Sequence, residues 1–350
     1  MSKAVCFGRG KEPWNMLDCV FFGGTVYDGR GGAPFRADVG IQGGRIAALG
    51  ALDSALAAQR IDARGKAVCP GFLDLHRHAD AAVFRADYGD CDLFQGITTV
   101  GNGNCGLSLA PQLPPHRDAI AAYLHPVTGD FDGVPVESLA AYSAALSRRP
   151  MAVNALMLAG GGTIRASVAG FGKTRLDDTD FTRIRRLLEQ TLAEGARGVS
   201  LGLGYAPECF YSTDELIRAL EPIRHTNVVL SAHTRSEAMR LLPSIEEMLT
   251  VAKALRVPLQ ISHLKATGKI QWRSAAQKAL RLLERAREDG IDAGCDVYCY
   301  TKGSTQLLHV LPPWFLQGGP AAVARRAKDP ESRERVLRQI AHSLDFDNYA

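Results

Sequence analysis

The chain has 350 residues, of which 46% are hydrophobic and 22% charged, the balance of an ordinary folded enzyme and not of a disordered or fibrous chain. Lys and Arg number 41 against 37 Asp and Glu, a net charge of +4 with no basic stripe, so nothing in the charge points to nucleic acid. No apolar run reaches the roughly 18 residues of a membrane helix, MSKAVCFGRGKEPWNM has no apolar signal core, and the eight cysteines contain no CxxC pair, which together read as a cytoplasmic protein whose thiols are mostly buried.

Residues 1–16 fit no element, and Met16 directly precedes the first strand, so this stretch reads as an unstructured or mis-started extension. Residues 17–65 alternate apolar and polar positions between the turns GG, DGRGG and QGG, which predicts a small β domain of antiparallel hairpins. From residue 66 the pattern changes. Seven runs, AVCPGFLDL, ITTVGNG, VNALML, GVSLGL, NVVLSAHT, LQISHL and DAGCDVYCY, are apolar on both faces. They alternate with amphipathic stretches such as TRIRRLLEQTLAEG and SAAQKALRLLERAREDG, which predicts parallel strands with crossover helices. The fold class is therefore α/β, a (β/α)₈ barrel over residues 66–350 that lacks its last strand, because only one more helix, PAAVARRAKDPESRERVLRQIAHSL, follows the seventh run.

Active sites of such barrels lie at the C-terminal strand ends, and the polar residues there share one chemistry. The first run ends in His76 and His78. In an extended chain residues two apart share a face and are separated by about 6.6 Å, so both imidazoles can meet one ion. Cys105 follows the second strand, His233 ends the fifth and His263 follows the sixth. Each alone reads equally well as a satisfied strand-end histidine or a core thiol. Together they form a set of imidazole and thiol donors suited to zinc.

The stretches GGTVYDGRGGAPFRADVGIQGGRIAALG, PGFLDLHRHAD, QGITTVGNGNCGLSLAP, GARGVSLGLGYAPECFYSTDEL, SAHTRSE, ISHLKATGK and DVYCYTKGST resemble the D-aminoacylase, or N-acyl-D-amino-acid deacylase, branch of the amidohydrolase superfamily. The resemblance implies a TIM-type metal-dependent hydrolase barrel beside a small β-sandwich domain, both incomplete in this sequence. It implies a zinc ion bound tightly by Cys105, His233 and His263, and a second, weaker site at His76 and His78. It implies that Lys265, Tyr205, Tyr298 and Ser304 face the substrate, and that a zinc-bound hydroxide cleaves the amide of an N-acyl-D-amino acid into a D-amino acid and a carboxylic acid. The partner is thus a small molecule and not a nucleic acid or a membrane.

Three features depart from that pattern or qualify it. The family's proton-transferring aspartate lies after an eighth strand, beyond residue 350, so no catalytic residue is assigned here and an impaired or inactive remnant is the alternative from another class. Gly161 in LAGGGTIR stands where the family usually has a histidine. GVSLGLGYA carries no lysine, which argues against a cyclic-amide hydrolase of the dihydroorotase or hydantoinase kind. Arg235 and Glu237 read as a structural ion pair at the rim.

Overall fold

A computed structural model describes residues 5–6, 16–267 and 271–342. The chain divides after Phe72 into two compact units. In the first, β1 (Val5–Cys6), β2 (Leu17–Val26), β3 (Phe35–Gln42), β4 (Arg45–Gly50), β5 (Ala57–Asp62) and β6 (Ala67–Val68) form one sheet, in the order β1-β4-β3-β2-β5 with β6 also on β2. β3 and β4 are antiparallel across Gly43 and Gly44, both at positive φ, the backbone a two-residue hairpin demands. Leu17, Val20, Ala48 and Leu52 make its buried core.

Two features of this unit differ from the sequence reading. β5 and β6 run parallel to β2, a long-range pairing that turn residues do not encode. Val5–Cys6, within the stretch read as unstructured, pairs with the outer edge of β4; the rest of residues 1–15 lies outside the described residues.

The parallel array comprises β7 (Phe72–Asp74), β8 (Ile97–Asn102), β9 (Asn154–Met157), β10 (Ala159–Gly160), β11 (Gly198–Gly202), β12 (Val229–His233), β13 (Leu259–Ile261) and β14 (Ala293–Cys295). β9 and β10 are one strand broken at Leu158, the first half pairing with β8 and the second with β11. The array thus holds seven strand positions, and each of the seven apolar runs supplies one. AVCPGFLDL is shared, its Ala67–Val68 going to the first sheet and Phe72–Asp74 to β7. Among the described residues β7 and β14 end the array.

Helices cover it by burying one face. Asp178–Ala193 begins at a capping box in which Asp177 and Asp180 each accept the other's backbone N–H, and it turns Phe181, Ile184, Leu187 and Leu188 into the core shared with Val199, Leu201 and Leu230. Each such side chain contributes about 1.5–3 kcal/mol when fully buried. The single helix expected over residues 320–344 is two, Gly319–Lys328 and Pro330–His342. Asp329 between them is extended, with ψ 120°, as the residue before a proline prefers. No helix of the described residues is long and apolar enough to cross a membrane.

Candidate metal centre

Because parallel strands point their C-terminal ends the same way, residues far apart in sequence meet at one rim. Cys105 Sγ lies 3.4 Å from His76 Nε2 and 3.5 Å from His263 Nε2, and that same His263 nitrogen is 2.9 Å from His233 Nδ1. Donor atoms of His76, Cys105 and His263 lie within 4.8 Å of one another, as do those of His233, Glu237 and His263. His263 is common to both groups. His78 belongs to neither group, its ring centroid 5.7 Å from that of His76.

The backbone is bent to achieve this. Cys105 and His263 have φ of 54° and 37°, a left-handed region uncommon for residues with a side chain. Each is tied down. Asn104 Nδ2 donates to the carbonyls of Leu75 and Gly101, at 3.1 and 3.0 Å, and Gly106 N donates to Ser200 Oγ at 3.0 Å. Gly202 ends β11 directly behind, where a Cβ would stand 2.1 Å from the Cys105 carbonyl oxygen. Asp296, just past β14, accepts the His263 N–H at 2.5 Å.

The electrostatics suit a cation. His233 is 3% exposed and its Nε2 has no partner, and the buried His78 Nδ1 has none either. Burial pushes His233 well down and His78 to about 4, neighbouring histidines adding to it for His78, so both stay neutral with lone pairs to offer. Burial pushes the Cys105 thiol well up, and the Glu237 and Asp296 carboxylates push it further. A divalent ion reverses that balance by taking the thiolate. Burial alone would raise Glu237, but the hydrogen bond from His263 and the positive charge of Lys265 hold it well below the usual carboxylate range. One thiol with several imidazoles and flanking carboxylates is a donor set that fits zinc.

The amidohydrolase family profile matches residues 59–326. The chain belongs to the amidohydrolase family. The D-aminoacylase of Alcaligenes xylosoxydans xylosoxydans is 35% identical over 291 residues, 83% of this chain and 59% of that protein. The N-acyl-D-glutamate deacylase of Bordetella bronchiseptica, solved with zinc and a phosphonate mimic of the tetrahedral intermediate, superposes with a TM-score of 0.74 at 31% identity, covering 81% of this chain and 59% of that one. A crystal structure of D-aminoacylase gives 0.72 at 32% identity, over 92% of this chain and 69% of that one. These relatives place the amidohydrolase in the D-aminoacylase branch, and it spans 59% of the length of the first of them.

Around this donor cluster the residues expected to face substrate are distributed unevenly. Lys265 Nζ sits 2.5 Å from Glu237 Oε2 and 5.5 Å from the Tyr298 ring centroid. The Tyr205 ring is 4.5 Å from that of His233, and its hydroxyl meets Thr305 Oγ1 at 2.9 Å. Ser304, beside Thr305, is exposed. The Arg235–Glu237 pair does not form: Arg235 Nε pairs with Glu247 at 2.8 Å and its guanidinium donates to the carbonyls of Cys209 and Tyr211, whereas Glu237 turns to His263 and Lys265. Arg235 reaches over the neighbouring loop because Glu247 lies on the helix Leu241–Leu255 that packs there.

Sequence alone pairs Glu237 with Arg235 and singles out neither Asp296 nor His309. Asp296 opens the polar half of the seventh run, and its place directly after a strand was a usable signal. His309, whose ring centroid is 5.3 Å from His233 and 5.1 Å from Tyr205, comes from an irregular stretch with no periodicity to mark it. At Gly161 a Cβ would stand 2.5 Å from Glu208 Oε1, so Glu208 fills the space into which a side chain there would grow.

Proposed function

We propose that this amidohydrolase hydrolyses the amide bond of N-acyl-D-amino acids with a zinc ion held by Cys105, His233 and His263, and a second, weaker site formed by His76 and His78. The observation that supports this best is the convergence of Cys105 with His76, His233 and His263 at the strand ends, with a buried, unpartnered imidazole nitrogen on His233. When bound, zinc supplies Lewis acidity, activating water and polarising the amide carbonyl. Lys265 would anchor the substrate carboxylate, an ammonium meeting its natural counter-ion. Tyr205 and Tyr298 wall the site, and Ser304 offers a hydroxyl from the exposed side. No residue of the present chain is assigned the proton transfer to the leaving amine, a contribution of about 10² to 10⁴-fold in rate.

The test measures zinc content and D-amino-acid release from N-acetyl-D-amino acids for the wild type and for Cys105→Ala, His233→Ala and His263→Ala. Each substitution should lower bound zinc and abolish release, with the L-substrates inert throughout. Full zinc retention by Cys105→Ala would sink the ligand assignment.

A further inference from the structure

Glu237 commits each carboxylate oxygen to a different functional group. Oε1 accepts from His263 Nδ1 at 2.7 Å and Oε2 pairs with Lys265 Nζ at 2.5 Å, with the carboxylate almost fully buried. For His263 the shorter contact to the carboxylate, 2.7 Å against 3.2 Å to Lys265 Nζ, favours a proton on Nδ1. A proton on Nδ1 leaves the Nε2 lone pair free, and Nε2 is the atom that faces Cys105 Sγ and His233 Nδ1. Glu237 therefore stands on the far nitrogen, outside the proposed Cys105, His233 and His263 ligand set, where carboxylates set ring orientation and basicity. Its main chain fastens the same loop, since the Glu237 carbonyl accepts the Thr267 N–H at 2.8 Å and the Thr267 hydroxyl at 3.1 Å. From these contacts we infer that Glu237 is a positioning residue that couples the metal cage to the substrate anchor: one carboxylate fixes His263 for the ion and presents Lys265 to the substrate's carboxylate. This inference rests on the proposed zinc-deacylase reading.

An amide is neutral and offers a single acceptor oxygen, so glutamine at this position cannot give His263 and Lys265 a charged oxygen each, while alanine serves neither. Glu237→Ala should weaken zinc binding about 10 to 100-fold and raise KM for N-acyl-D-amino acids. Glu237→Gln should weaken both properties, each by less than alanine does, and Glu237→Asp, with both oxygens and the charge, should recover part of each. Zinc affinity is read by chelator competition and by protection of Cys105 from alkylation, neither of which needs turnover. Glu247→Gln, which breaks the Arg235 pair in the adjacent loop, controls for general loosening: it should lower thermal stability and leave zinc affinity unchanged. If the wild type binds zinc and Glu237→Ala binds it equally well with the same KM, the coupling is refuted. If the wild type binds no zinc, the metal-centre reading falls first.

Discussion

Glu208 is a carboxyl group with little to support a charge. Its Oε2 accepts the Gly202 N–H at 2.7 Å, its Oε1 is buried without a partner, and burial pushes its pKa to about 8 from an ordinary 4.5, against the partial opposition of that hydrogen bond and of Arg165. A folded-state pKa above the unfolded one means the native state holds a proton that the unfolded chain has released. Its stabilising share is complete below pH 4.5 and is lost as pH rises towards 8, at about 1.4 kcal/mol per unit. Asp80, fully buried and raised to about 7 from 3.8 by desolvation, adds the same sign of slope between those two values. Denaturant unfolding across pH 4.5 to 8 should show the decline, and Glu208→Gln should flatten its upper part; an unchanged slope would mean Glu208 is ionised in the folded protein. None of this was legible in APECFYSTDEL, which reads as an ordinary polar turn, because desolvation is a property of what surrounds a residue.

Among the elements, the strands and amphipathic helices were the readable part. Period and capping chemistry are local: the Asp177–Asp180 box and the Phe181, Ile184, Leu187, Leu188 face lie within one helix. Asp177→Ala should cost about 1 kcal/mol and Phe181→Ala about 3–5 kcal/mol, both measurable as shifts in the denaturation midpoint; equal costs would mean the buried face contributes no more than the cap. The Pro330 break is also local, but it lies inside a long amphipathic pattern that masks it. The parallel pairing of β5 and β6 with β2 was of another kind, set by which backbone edge the chain returns to.

At the scale of the whole molecule, the proposed ligands tie together segments from His76 to His263, so metal binding is linked to folding of the second unit. At zinc about 100-fold above its Kd the unfolding free energy should rise by about 2.7 kcal/mol, a chelator should reverse the gain, and Cys105→Ala should show far less of it. A wild type whose unfolding midpoint ignores zinc and chelator alike would contradict the linkage. The sequence by itself determined the class of the fold and the kinds of donor at the strand ends, because apolar period, turn residues and strand-end position are written within some ten residues of chain. Only the tertiary structure decided that Glu237 faces His263 and Lys265 and not Arg235, that Asp296 lies 3.1 Å from His76 Nδ1, and that Glu208 occupies the space beside Gly161. Those contacts join residues as far apart as the 220 positions between His76 and Asp296, and such distances are closed by the packing of strands and helices, which no local pattern records.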